Sequence, residues 1–462
     1  MAVLQSVAIE ELRSKVRGAV LLPADQGYDD ARRIWNAMID RKPGVIVMCA
    51  GVADIIRSVA FARHQELEVS IHGGGHNIAG NAVCDDGLMI NLSPMKSVRV
   101  NPETRRAYVE PGAKLGDLDH ESQAFALAAV VGINSTTGVA GLTLGGGFGW
   151  LTRQYGMTVD NLISAELITA EGKWMRASGA ENPDLFWAIR GGGGNFGIVT
   201  MFEFQLHPLG PEVLCGLIVY PFNEAKTVLT KYLEFVEDIP EELNVWAVLR
   251  KAPPLPFLPE EVHGKEIVAL AVFHSGDIET GRRAIAPLRG FGEPHGEHLG
   301  PQPYTAWQKA FDPLLAPGAR NYWKSHNFAE LSGDALESIV RYAGDLPHHQ
   351  CEIFIGMIDG QASRVPPEAT AYSHRDAKFV MNFHGRWESP SDDERCITWA
   401  REFFNAMTPH AAGSVYVNFM TQDETGRVPA AFGTSYERLV QVKNKYDPTN
   451  FFHMNQNIKP SV

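Results

Sequence analysis

Three glycine clusters constrain this chain more than any other feature: "IHGGGHNIAG" (71–80), "GVAGLTLGGGFGW" (138–150) and "GGGGNFG" (191–197). Glycine weakens regular helix and strand and opens the left-handed backbone region, so each cluster reads as a loop or a tight turn. Loops of packed glycines bring backbone N–H groups together into concave anion-binding arrays. The first cluster also carries two histidines, His72 and His76, directly after the extended-looking run "ELEVS". It can be read as a metal site, as the oxyanion arm of a hydrolase, or as a loop around a phosphorylated cofactor.

The rest of the chain decides among these. A hydrolase with an HGGG arm needs a G-x-S-x-G nucleophile elbow, and none occurs. Two metal-binding histidines four apart need a helix, which the intervening glycines oppose. The pairs His295/His298 and His348/His349, the latter near Cys351, lack a second ligand pair and read as polar loop histidines, so no metal is expected. A dinucleotide fingerprint should follow a strand and open a helix. At 192–197 the order is reversed, with helical-looking "ENPDLFWAI" before and strand-like "IVTMFEF" after. What survives is a pyrophosphate held by backbone amides, without a nicotinamide-type fold.

Composition removes other classes. The formal net charge of −13 over 462 residues gives no footing for nucleic acid. No apolar run approaches a membrane span, and the N-terminus mixes acids and bases without a signal-like apolar core. The five scattered cysteines fit reduced thiols, so a cytoplasmic location is expected.

Periodicity predicts an α+β protein. The stretches "IEELRSKV" and "DDARRIWNAMI" read as short helices within 1–38. Strand "PGVIVMCA", helix "VADIIRSVAFARHQ" and strand "LEVSIHGGGH" come next, then a meander of short strands. After Gly210, helices such as "VLTKYLEFVEDI" alternate with strands such as "EIVALAVFHSG" and "EIFIGMIDG", and "SYERLVQVKNKY" forms a last helix.

The glycine motifs, with "GWLTRQYGMTVDNL", "DLFWAIRGGGGNFGIVT" and the ending "YERLVQVKNKYDPTNFFHMNQNI", resemble the berberine bridge enzyme-like branch of the vanillyl-alcohol oxidase flavoproteins. The resemblance runs from about residue 39 to the end. It implies a PCMH-type FAD-binding domain at 39–209, a substrate domain with an antiparallel sheet under helices at 210–405, and a C-terminal return at 406–462, with the helical segment read at 1–38 packing on the FAD domain. It also implies covalent FAD, bonded at its 8α carbon to His76. A neutral imidazole is a competent nucleophile, and such a tether makes the flavin a stronger oxidant. The cofactor is expected against His72, Gly73, Gly74, Gly75, His76, Asn77, Gly132, Thr136, Thr137, Gly138, Gly141, Gly145, Gly146, Gly197, Ile198, Val199 and Asn455. Where many relatives have a second, cysteinyl tether, this chain has Asn134, so no second bond is expected. Thr137, three places on, falls where relatives control oxygen access. The base of the plant alkaloid enzymes falls near Arg364 and does not carry over.

Two strands are expected to supply chemistry. Alternation in "SVYVNFM" puts Tyr416 and Asn418 on one face, and alternation in "NYWKSHNF" pairs Tyr322 with Lys324. A buried lysine or an assisted tyrosine can take a proton from substrate. The strand "FVMNFHGRW" offers Asn382, His384 and Arg386, but the sequence does not pick its face. The expected activity is oxidation of a small organic molecule (alcohol, sugar, amine or phenolic) with electrons passed to O2. The alternatives are a dehydrogenase using another acceptor, or a non-catalytic flavin- or sugar-binding protein.

Overall fold

The computed structural model describes residues 6–461. Its 18 strands form four sheets. The first sheet holds β1 (Val20–Leu21), β2 (Val45–Met48), β3 (Val69–His72) and β4 (Leu88–Asn91), in the order β1-β2-β4-β3. β2, β4 and β3 are mutually parallel. The helix Val52–His64 makes the crossover from β2 to β3, as parallel strands require. Burial on both faces explains why β2 and β4 are apolar almost without a break.

The second sheet is antiparallel: β5 (Val98–Asn101), β6 (Arg106–Val109), β8 (Leu162–Ile168), β9 (Trp174–Ser178) and β10 (Ile198–Gln205), in the order β5-β6-β10-β8-β9. A two-stranded ribbon pairs β7 (Leu127–Ala128) with β11 (His207–Pro208). The third large sheet is wholly antiparallel. It contains β12 (Glu212–Pro221), β13 (Leu243–Lys251), β14 (Glu266–His274), β15 (Gly296–Pro303), β16 (Arg320–Phe328), β17 (Glu352–Met357) and β18 (Phe379–Trp387). Its order is β15-β12-β14-β13-β17-β18-β16.

Helices Ala225–Phe235, Gly333–Ala343 and Asp393–Met407 cover one face of this sheet. Phe379 meets Tyr232 there, and Phe383 meets Phe403 with ring centroids 4.4 Å apart. Each such buried aromatic ring contributes roughly 1.5–3 kcal/mol by leaving water. The opposite face looks toward the glycine-rich half, where Trp246 of β13 stacks on Trp150 at 4.1 Å. The C-terminal helix Tyr436–Tyr446 returns to the third glycine cluster. Its buried Lys443 donates to Asp447 at 2.7 Å and to the Asn195 carbonyl at 2.8 Å.

The α+β expectation holds, and most of the expected elements are present. Two differ. The second N-terminal helix covers only Tyr28–Arg32, because Trp35 and Asn36 leave helical geometry to make tertiary bonds. Asn36 binds Ile78 and Asn321, and Trp35 binds Gly75 and Leu315. The "SVYVNFM" segment is no strand. It turns through one 3-10 turn at Val417–Phe419, and Asn418 donates to the Leu142 carbonyl. The second glycine cluster, expected as a loop, opens with the short helix Val139–Leu144. All five cysteines are free and buried. No helix among the described residues is long and apolar enough to cross a membrane.

Candidate active site

A cavity of about 360 Å³ lies between the glycine-rich half and the bare face of the seven-stranded sheet, within the usual size range of ligand sites. One wall is backbone. Gly74 packs against Gly138 in it, and Gly73, Gly75, Gly141, Gly193, Gly194, Gly197, Ile198 and Val199 extend it. The approach leaves no room for side chains: a Cβ on Gly74 would stand 2.4 Å from the backbone of Gly138. Gly75 has φ +71°, and a Cβ there would strike the His72 ring at 2.7 Å.

His76, Asn77, Gly132, Asn134, Thr137 and Asn455 also line this wall. Burial, reinforced by the charges of Lys114 and His72, drives the His76 pKa down to about 3, so the ring is neutral. It stacks on Trp35 at 5.3 Å, and its Nε2 lies 3.0 Å from the Thr136 hydroxyl. Trp35 lines the cavity too, although its local sequence pattern is that of a helix.

Four expected cofactor contacts lie outside the lining. His72 sits beneath Gly75, buried, with Nδ1 unpartnered; burial, then Lys114, holds its pKa to about 4. Thr136 touches His76 from behind. Gly145 and Gly146 pack behind Asn418 and Tyr416 and supply room for those side chains.

The other wall is side chains. The register aligns Arg250, Glu352, His384 and Trp323 in one row across β13, β17, β18 and β16. Glu352, His384 and Trp323 line the cavity, with Asn382, Phe354 and Trp246 from the same sheet. Burial would raise the Glu352 pKa, but Arg250 at 2.6 Å and His384 at 3.3 Å hold it to about 2. Burial lowers the His384 pKa, against the pull of Glu352.

This register corrects the expectation for Tyr322 and Lys324. They share a face, but Trp323 between them takes the cavity side. Tyr322 donates to Asp423 at 2.6 Å, and Lys324 bonds the same carboxylate at 2.8 Å. Neither lines the cavity. Arg364 is likewise remote, exposed and paired with Glu241. Glu352 is the glutamate that does reach the cavity. Reading it from sequence needs the register of four strands, which no local signal carries.

Tyr416 and Asn418 line the cavity without forming a strand face, and the 3-10 turn brings Phe419 in with them. The Tyr416 hydroxyl accepts from Gly147 N–H at 3.1 Å and from Asn418 Nδ2 at 2.9 Å. Its own hydrogen is therefore free for a cavity ligand. Burial raises its pKa to about 12, while the Asn418 and Gly147 bonds pull the other way. Elsewhere, Glu388 joins His348 and His349 with ligand atoms within 4.8 Å of one another, a juxtaposition the spacing of the histidines does not reveal.

The backbone wall fits an FAD. Unfilled space beside Gly141 and Gly194 opens on the cavity, and Asn455 brings a buried Oδ1 with no protein partner to the same wall. Comparison with known proteins agrees. Residues 43–178 match the FAD binding domain family, and residues 415–459 match the berberine and berberine-like family. An FAD-linked oxidoreductase of Dictyostelium discoideum is 32% identical over 98% of this chain and 97% of its own. The crystal structure of 6-hydroxy-D-nicotine oxidase from Arthrobacter nicotinovorans superposes with a TM-score of 0.87 at 30% identity, covering 96% of this chain and 98% of that one. Xylooligosaccharide oxidase from Myceliophthora thermophila superposes at 0.85 with 25% identity, covering 98% and 100%.

Proposed function

This chain belongs to the berberine bridge enzyme-like family of FAD-linked oxidoreductases, and on that premise we propose that it is an oxidase whose FAD is bonded to His76. Its substrate is a small alcohol or amine with a flat apolar body. FAD, when bound, supplies the two-electron sink, and O2 takes the electrons as hydrogen peroxide. The observation that carries the reading is the pairing of two unlike walls in one cavity, backbone with His76 on one side and aromatic rings with Tyr416 on the other.

The backbone of Gly73–Gly75, Gly138, Gly141, Gly193 and Gly194, with Asn455, holds the cofactor, and neutral His76 has the nucleophilic lone pair the tether needs. Trp35, Trp246, Trp323, Phe354 and Phe419 exclude water and favour a planar substrate. Tyr416 contacts the substrate heteroatom. In its deprotonated form it takes that atom's proton, and the Gly147 and Asn418 donors stabilise the oxygen through the transfer.

The relatives support small organic substrates of two kinds, a nicotine derivative for one and a xylooligosaccharide for the other. A sugar is the second reading. Aromatic faces also stack on sugar rings, and the unpartnered Asn382 Oδ1 would accept a hydroxyl. Anaerobic mixing with aromatic amines, aromatic alcohols and saccharides separates them by which class bleaches the flavin. For the tether, acid-precipitated protein should stay yellow and carry the mass of one FAD. His76→Ala should still bind FAD, more weakly and releasably. Full release of flavin from the wild type by acid would remove the covalent reading.

A further inference from the structure

We infer that Asn134 and Thr136 are positioning residues that hold His76 with its hydrogen on Nε2, leaving the Nδ1 lone pair to bond the flavin; the inference rests on the covalent reading above. Asn134 Oδ1 lies 2.9 Å from the Thr136 backbone N–H. An N–H can only donate, so the atom facing it must be the amide oxygen. The Thr136 hydroxyl lies 2.6 Å from that same oxygen and must therefore donate to it. With its one hydrogen committed, the hydroxyl can only accept from His76 Nε2, 3.0 Å away.

The ring is half-buried, stacked on Trp35, and neutral, so it carries one N–H and one lone pair. The N–H is on Nε2 and the lone pair on Nδ1. No hydrogen bond to Nδ1 is present among the described residues. Trp35 is itself anchored by its backbone N–H to the Gly75 carbonyl and by Nε1 to the Leu315 carbonyl, so the ring has little freedom to turn over. Asn134, expected from sequence only to remove a second bond, thus acts on the first.

The chemistry balances. A C–N bond forms between Nδ1 and the 8α carbon as one C–H bond of that methyl group breaks. One proton leaves the methyl group and one leaves Nε2. Two electrons remain on the flavin until dioxygen takes them, with two protons, as hydrogen peroxide. Nε2 then has a lone pair, and the Thr136 hydroxyl turns from Asn134 to donate to it. Thr136 also lines a second cleft with Lys114, Asp117, His120, Glu121 and Lys309.

The test uses full-length apoprotein from riboflavin-starved cells, labelled with 15N-histidine. The expected spectrum has a pyrrole-like Nε2 and a pyridine-like Nδ1 for His76. FAD added in air should then appear as acid-stable flavin linked through Nδ1. Thr136→Val removes the acceptor, and Asn134→Ala lets the hydroxyl turn and donate to Nε2. Each should slow covalent incorporation about five- to tenfold, the worth of one oriented hydrogen bond. Thr136→Ser should behave as wild type. Non-covalent FAD binding, read by flavin fluorescence, separates a folded slow variant from an unfolded one. A protonated Nδ1 in the apoprotein would overturn the inference, as would wild-type rate and linkage in both loop variants. A wild type that never forms acid-stable flavin sinks the covalent reading instead, and the 15N spectrum alone then decides the relay.

Discussion

The two walls of the cavity are built from different material. The glycine-rich wall positions backbone, and its specificity comes from what is missing: Cβ atoms that would overlap at Gly74 and Gly138. The sheet wall positions side chains, and its specificity comes from register: Arg250, Glu352, His384 and Trp323 meet only because four strands align. A wall made of backbone tolerates no added atom at its closest approach. A wall made of side chains can lose one group and keep its shape. The first wall suits a cofactor of fixed form, and the second suits substrates that differ among relatives.

The largest effect should come from breaking the backbone wall. Gly74→Val places Cβ against the Gly138 backbone, where no flexible side chain can yield. Purified protein should contain essentially no flavin by absorbance. Retention of normal flavin would mean the two loops are not held as closely as described.

The next contrast sets two tyrosines against each other. Tyr416→Phe should lower the anaerobic rate of flavin reduction by roughly 10²-fold or more, the usual worth of a proton-transfer group. With wild type, that rate should climb as pH rises toward 12, because the proton acceptor is the deprotonated form, and the variant should show no such climb. Tyr322→Phe should leave the rate unchanged and lower stability by about 1.5–3 kcal/mol, the worth of a hydrogen bond to a charged group. Equal rate losses in both would return Tyr322 to the site.

Thr137 tests a side chain on the glycine-rich wall. It lines the cavity, and among the described residues its hydroxyl makes no hydrogen bond to protein. Thr137→Leu should slow reoxidation of reduced flavin by air about tenfold, on the order of 1.4 kcal/mol, with reduction by substrate nearly unchanged. Unchanged reoxidation would remove Thr137 from the oxygen path.

The remaining prediction concerns pH. His72 and His76 titrate near 6.5 when unfolded but at about 4 and about 3 when buried. His207 and His326 behave alike, at about 4. Their folded values lie below the unfolded one, so the unfolded chain binds more protons below pH 6.5, and stability falls as pH drops through that point. The melting temperature of the apoprotein should already decline between pH 7 and 5, above the carboxylate range. A flat profile there would mean these rings are open to water.

Most regular elements were legible in the sequence because their signals are local. Val45–Met48 and Ile198–Gln205 are runs of strand formers, and Tyr436–Tyr446 has helical spacing. Trp35 was hidden because its helix signal loses to tertiary bonds three residues past Arg32. Tyr416 and Asn418 were picked as a polar pair, yet a turn, not a strand, brings them to the cavity. Tyr322 and Lys324 were rightly placed on one face of β16, but alternation states only that two residues agree, never which side they agree on.

By itself the sequence determined the glycine loops at 73–75 and 191–197, the α+β class, and the kind of cofactor those loops can hold. The backbone freedom of a glycine run is a local property and can be read there, although the close approach it permits, Gly74 to Gly138, is tertiary. Only the tertiary structure decided which residues line the cavity. A strand presents one of two faces according to what packs on each, and a row such as Glu352, His384 and Trp323 exists only once distant strands pair in register.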